Sequence, residues 1–311
     1  MRKFIFKVLV FSLPILIVSV AFELLIRNIP NDYSYKKEYL DENSEKIETL
    51  VLGSSHSFYG IDPRYFSNNT FNAGQISQSL NYDLEILKKY QGEFKSLKTI
   101  VLPISYFSFY SSLESGVESW RIKNYMIYYD LNSSESMLDY SEVLSNHVKV
   151  MIDKLVSHYG KGDKSIYCSN LGWGTNFKSE NALDLLKSGE ISAKRHTVLD
   201  RESEKVKAEF DKNKLHLKSI IKWSKERNVK VLVLTLPAFK SYREHLDGEQ
   251  LKKTIDATES ICSEFDNCIY NNLLNDTAFV ASDYFDADHL SEIGAEKLSR
   301  QIDSTISWNN Q

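Results

Sequence analysis

The chain has 311 residues, 42% of them hydrophobic and 26% charged, which suffices for one large domain or two small ones around a sizeable core. Lys and Arg number 38 against 42 Asp and Glu, a formal net charge of −4. That balance argues against nucleic acid as a partner, because such binders present a clustered basic face.

The N-terminus departs from this average. Residues 1–7 (MRKFIFK) are basic, residues 8–22 (VLVFSLPILIVSVAF) carry no charge, and Glu23 interrupts before Leu24, Leu25 and Ile26. The 23 residues from Phe4 to Ile26 can cross a hydrocarbon core of about 30 Å as a helix. Lys7 and Glu23 lie near its ends, within reach of headgroups. Arg2, Lys3 and Lys7 before the span, against Arg27 alone behind it, put the N-terminus in the cytoplasm, so the expectation is a single-pass cell-membrane protein with its body extracytoplasmic. A cleaved signal peptide is the competing reading, with Ser19-Val20-Ala21 as a small-x-small site, although it would leave Phe22 and Leu24–Ile26 on the mature start. The expected organisation is a cytoplasmic tip and anchor over 1–29, a polar juxtamembrane linker over 30–46, and a domain over 47–308 with an insertion at about 105–200.

Within that domain, residues 47–53 (IETLVLG) read as a buried strand stopped by glycine, and 70–73 (TFNA) as a short second strand. Leu80, Leu84, Leu87 and Tyr90 fall at helical spacing within 78–90, and 98–102 (KTIVL) is a strand ended by Pro103. Between 105 and 200 the periodicity is weak, with aromatic segments, a helix over 136–159 and a turn region around Gly172-Trp-Gly174. That G-x-G lacks the third glycine and the strand–helix setting of a dinucleotide site, and no cofactor is expected. Regularity returns with a charged helix over 203–228, a strand over 229–236 ended by Pro237, a helix over 247–265, a strand over 268–270 and a helix over 290–306. Apolar strands alternating with helices predict an α/β fold in three layers, a parallel sheet flanked by helices. Cys262 and Cys268 bracket a short loop and can pair, leaving Cys168 over. No C-x-x-C pair or His/Cys cluster has ligand spacing, so no structural metal is expected.

In open α/β sheets, sites form beyond the carboxyl ends of the strands. Two segments bring reactive groups there: Gly53-Ser54-Ser55-His56-Ser57 after the first strand, and Asp286-Ala287-Asp288-His289 entering the last helix. Serine is a poor nucleophile until a base takes its proton, and a histidine oriented by a carboxylate does so. Alone, Asp286-x-x-His289 reads as a helix cap and Gly53-Ser54-Ser55 as a polar turn; at the first strand and last helix of one α/β domain they point jointly to acyl chemistry.

With these residues the chain resembles the SGNH (GDSL-like) hydrolases. Gly53-Ser54-Ser55 matches the family's Gly-Asp-Ser block with Ser in place of Asp, and Asp286-Ala287-Asp288-His289 matches its Asp-x-x-His block, in the family's order over roughly 47–306. The resemblance implies Ser55 as nucleophile, His289 as general base and Asp286 as its orienting carboxylate. Asp288 is the alternative acid, but its adjacency to His289 predicts that its side chain diverges. For the oxyanion hole the resemblance points to Ser55 itself and to Asn72–Ser77, where Ser77 occupies the expected glycine position and Gly74 lies nearby. The family's asparagine block is missing: Pro103-Ile104-Ser105-Tyr106 stands there, making Ser105 or Tyr106 the substitute. His56 adjoins the nucleophile and is expected to line the site. The remaining histidines, His147, His158, His196, His216 and His245, are expected at the surface.

The missing asparagine and the N-terminal anchor make the chain similar to the divergent membrane-anchored SGNH-like proteins of bacterial envelope polysaccharide modification, those of alginate acetylation and of D-alanyl transfer to teichoic acid. That likeness implies an O-acyl esterase or O-acyltransferase acting on an envelope glycan beside a membrane-bound O-acyltransferase. Lys240, Tyr242 and Arg243 then either contact an anionic sugar or form a solvated loop. A non-catalytic glycan-binding or scaffolding partner and a lipase-like esterase are the alternatives.

Overall fold

The computed structural model describes residues 1–308, which form two compact units. One comprises Met1–Glu38 and Ser119–Tyr167, the other Tyr39–Glu118 and Cys168 onward.

The second unit is built on five parallel strands: β1 (Thr49–Val51), β2 (Thr70–Asn72), β3 (Thr99–Pro103), β4 (Lys230–Thr235) and β5 (Cys268–Asn272), in the order β2-β1-β3-β4-β5. Register pairs Val51 with Asn72 on one side and with Val101 on the other, so β1 is central and fully buried. Its helices are α3 (Ser55–Gly60), α4 (Leu80–Lys89), α8 (Leu185–His196), α9 (Glu204–Lys225), α10 (Lys240–Glu244), α11 (Gly248–Ser263) and α12 (Glu292–Trp308). Alternation along the strands divides the core between two faces. Val51, Val101, Leu232 and Leu234 pack with Leu298, Ile302 and Ile306 of α12. The intervening Leu50, Ile100, Val231 and Val233 point to the opposite face and are equally buried. There α9 buries Leu217, Ile220 and Ile221 and packs against α4 and α11. The expected α/β sandwich with a parallel sheet is therefore the observed one. The chain runs from β1 outward to β2, then crosses back to β3 on the other side of β1. This reversal opens a crevice at the carboxyl ends of β1 and β3, where doubly wound sheets bind their ligands.

The first unit contains α1 (Arg2–Arg27), the start of α2 (Asp32–Asn43), α5 (Ile122–Ile127), α6 (Glu142–Ser145) and α7 (Val148–Leu155). Helix α1 is long and apolar enough to cross a membrane, and its side chains are almost all exposed. The 30–46 stretch, expected as a linker, is mostly helical, with Tyr33, Lys36 and Leu40 buried. The single helix expected over 136–159 is instead broken into a 3-10 turn (Met137–Tyr140), α6 and α7, with α7 continuing into a π-helical turn (Val156–Lys161). Ser141 explains one break: it is extended and caps α6 by accepting the Leu144 N–H. Cys262 and Cys268 are disulfide-bonded, and Cys168 is buried outside that pair.

Candidate active site

The chain leaves β1 and turns through Gly53 into α3, which begins at Ser55. Gly53 has φ 107°, and a Cβ there would lie 2.6 Å from Ser57 Oγ, so glycine is required. Its N–H donates to the buried Asp83 Oδ1 at 2.8 Å. Asn72, buried at the end of β2, braces α3 by donating Nδ2 hydrogens to the carbonyls of Ser57 (2.8 Å) and Ile61 (2.7 Å). Ser55 thus stands at the first turn of a helix clamped beside the crevice.

The loop before α12 supplies the partners. Asp286 Oδ1 accepts from the backbone N–H of Asp288 at 3.0 Å and of His289 at 2.8 Å, so the carboxylate both closes the turn and is fixed by it. The same oxygen lies 3.0 Å from His289 Nδ1, and His289 Nε2 lies 2.9 Å from Ser55 Oγ. The three residues singled out in the sequence thus form one hydrogen-bonded chain, with Nδ1–H facing the carboxylate and Nε2 facing the hydroxyl. Phe177, stacked between Tyr59 and Phe285, meets the imidazole edge-on at 5.4 Å. Phe177 lies in the weakly periodic region and was missed.

Asp288 does not diverge as expected. Its side chain is fully buried, with one oxygen 3.5 Å from His56 Nε2 and 3.7 Å from both His289 Nδ1 and His196 Nδ1. Arg195 reaches within 4.0 Å of it. Neither Asp288 oxygen nor His56 Nε2 has a hydrogen-bond partner among the described residues. His196, expected at the surface, is one of this group: α8 carries it inward, and its Nδ1 lies 2.9 Å from the Tyr242 hydroxyl. Tyr242 is accordingly buried and unavailable to a sugar, while Arg243 bonds Asn275 at the surface. His158 and His216 are half-buried, whereas His147 and His245 are exposed as expected.

The charges act together. Burial alone pushes the His289 imidazole down, but the charges of Asp288 and then Asp286, with the Asp286 hydrogen bond, carry it above its ordinary value. Burial pushes His56 down and His196 down to about 3, leaving both neutral. Burial would push the Asp288 carboxyl up, yet the facing imidazoles, His289 foremost, hold it well below the usual range. His56, Asp288 and His289 also offer ligand atoms within 4.8 Å of one another. His289 Nδ1 is already taken by Asp286, so a cation there would have to displace that carboxylate.

Ser55, His289 and Ser77 line a groove of about 540 Å³, with Ser108, Ser111 and Glu118 further along it. Ser77 holds φ 58°, a left-handed conformation uncommon outside glycine and typical of functional sites. The N–H groups of Ser55, at the start of α3, and of Ser77 have no partner among the described residues. The other oxyanion candidates are engaged. The Gly74 N–H donates to Asn72 Oδ1. The Tyr106 hydroxyl accepts from the Asp247 N–H and bonds Thr197. Ser105 Oγ lies 2.6 Å from His56 Nδ1, and His56, Ser105 and Tyr106 line a separate, smaller cavity. Ser105 and Tyr106 thus both spend their hydroxyls on other protein groups.

No protein-family model and no curated protein matches the chain. Two solved structures align with it along nearly their full length. A "putative platelet activating factor" from Streptococcus pneumonia is 12% identical, with a TM-score of 0.44 over 95% of this chain and 98% of that one. A GDSL-like lipase from Bacteroides thetaiotaomicron is 13% identical, with a TM-score of 0.38 over 88% of this chain and 99% of that one.

Proposed function

We propose that the protein is a membrane-anchored serine esterase or acyltransferase that acts on O-acyl groups of an extracytoplasmic envelope polysaccharide through Ser55, His289 and Asp286. The observation carrying the acyl chemistry is the hydrogen-bonded chain from Ser55 Oγ through His289 to Asp286, 2.9 and 3.0 Å per link. Ser55 Oγ attacks the acyl carbon while its proton passes to His289 Nε2. The tetrahedral oxyanion accepts from the Ser55 and Ser77 N–H groups, which need no side chain to donate. Its collapse breaks the bond to the donor alkoxide, which takes the proton from Nε2 and leaves an ester on Ser55. A sugar hydroxyl or water then attacks that ester and gives its proton to His289 Nε2, and collapse breaks the bond to Ser55 Oγ, which takes the proton back; the choice of acceptor separates transfer from hydrolysis. Asp286 holds the imidazole in the tautomer that keeps Nε2 open.

The groove mixes hydroxyls of Ser77, Ser108 and Ser111 with apolar Ile76, Leu80 and Phe107, a lining that can take both the hydroxyls and the faces of a sugar chain. The apolar α1 with its basic leader supports the anchor and an outward-facing body. The engaged state of Ser105 and Tyr106 favours the second reading, a glycan-binding or scaffolding partner of a membrane-bound acyltransferase.

A fluorophosphonate probe applied to the purified full-length protein should label Ser55, and Ser55→Ala should abolish labelling while Ser54→Ala leaves it. Glycan acylation in cells carrying wild type or Ser55→Ala should be measured in parallel. Absent labelling with unchanged acylation refutes catalysis and leaves the scaffold.

A further inference from the structure

Helix α7 and the π-helical turn that continues it carry an exposed apolar stripe. Val148, Ile152, Val156 and Tyr159 are 63, 45, 49 and 52% exposed. Steps of four and three residues put these side chains on one side of the helix. The other side faces protein: Met151 is buried, and Lys154 reaches the buried Glu142, which also receives Lys123 and the Tyr128 hydroxyl.

This segment is fastened to one end of α1. Glu23 Oε2 accepts from the Ser141 hydroxyl (2.8 Å) and the Val143 N–H (2.8 Å), while Oε1 accepts from the Glu142 N–H (3.1 Å). Arg27 donates to the Tyr140 carbonyl, and the Tyr159 hydroxyl donates to the Leu25 carbonyl. A hydrocarbon core of about 30 Å takes about 20 helical residues. Counted from Phe4, it ends near Glu23. The residues of α1 that grip α6 and α7 are therefore those at headgroup level.

We infer that residues 148–159 form an interfacial amphipathic helix whose Val148, Ile152, Val156 and Tyr159 lie in the outer leaflet of the bilayer that α1 crosses. Such helices sink an apolar face about 5 to 10 Å into the boundary between headgroups and acyl chains, and Tyr159 has the amphipathic ring that favours this depth. The glutamate in the apolar leader then has a stated use: it caps α6 and orients the segment, where a bare span would have no need of it.

The inference rests on reading α1 as a membrane span, and the test separates the two. A photoreactive benzophenone side chain is placed singly at Val148, Ile152 or Val156 of the full-length protein in phosphatidylcholine nanodiscs. Leu16, exposed on α1, reports the span, and Asp153, about 100° around the helix from Ile152, reports the opposite expectation. Lipid adducts at Leu16 and at the three stripe positions, severalfold above Asp153, are the expected result. Adducts at Leu16 with none along the stripe, or stripe cross-links to a second copy of the chain or another protein, overturn the interfacial helix and leave the span intact. No lipid adduct at Leu16 removes the span and the inference with it.

Discussion

Replacing Asp288 by Asn keeps the shape of the side chain and removes one of the two charges facing His289. At 3.7 Å from Nδ1, a unit charge is worth about 1 kcal/mol at the dielectric of water and about 4.5 kcal/mol at an effective value of 20. The His289 pKa should then fall by roughly 1 to 3 units. The sign follows from the base role. Labelling of Ser55 needs neutral His289, so the rate rises as pH climbs through the folded pKa, and lowering that pKa moves the acid limb to lower pH. A weaker base also lowers the plateau, by roughly tenfold for a shift of that size. The assay is the pH dependence of fluorophosphonate labelling for wild type, Asp288→Asn and Asp286→Asn. An Asp288→Asn profile whose acid limb superimposes on wild type would refute the electrostatic account.

Asp286→Asn should cost about 10⁴ in labelling rate, because an amide facing Nδ1 favours the wrong imidazole tautomer; a loss of tenfold or less would show that Asp288 can replace it. Burial raises the Asp83 carboxyl from 3.8 to about 7. With a folded pKa above the unfolded one, native protein binds the extra proton, so stability should fall as pH rises through about 4 to 7, by up to about 4 kcal/mol. Thermal melts of wild type should show that fall, and Asp83→Asn, which can still accept from Gly53, should flatten it. Asn72→Ala strips hydrogen bonds from the buried carbonyls of Ser57 and Ile61 and should lose about 2 to 4 kcal/mol in denaturant unfolding.

The sheet was legible because its strands are short apolar runs with hard stops. Pro103 and Pro237 end β3 and the segment after β4, and every strand of the sheet was placed to within a few residues. Residues 105–200 resisted because little there repeats: the helices are short and their limits are set locally, α6 starting on the Ser141 cap and the π-helical turn stopping at left-handed Gly162. Glu23 was read only as lying within reach of headgroups, and the structure adds three donors 118 to 120 residues away. Such contacts depend on tertiary placement, and a linear pattern has no access to them.

At the site the same division holds, and it explains the error over Asp288. Neighbouring side chains diverge where the backbone is extended and alternates. Between Asp286 and His289 the chain instead bends around a carboxylate that collects two of its own N–H groups, and in such a turn consecutive side chains can face the same way. One short loop therefore supplies both carboxylates that act on His289, one by hydrogen bond and one by charge alone. His289 is foremost in holding Asp288 ionised, and the other imidazoles facing that carboxylate come from elsewhere: His56 from α3 and His196 from the last turn of α8. A serine, a histidine and an aspartate in the right order can be read from the sequence, since each is written into a local turn. The second carboxylate that sets the basicity of that histidine faces it only because the loop turns, and only the fold shows that turn.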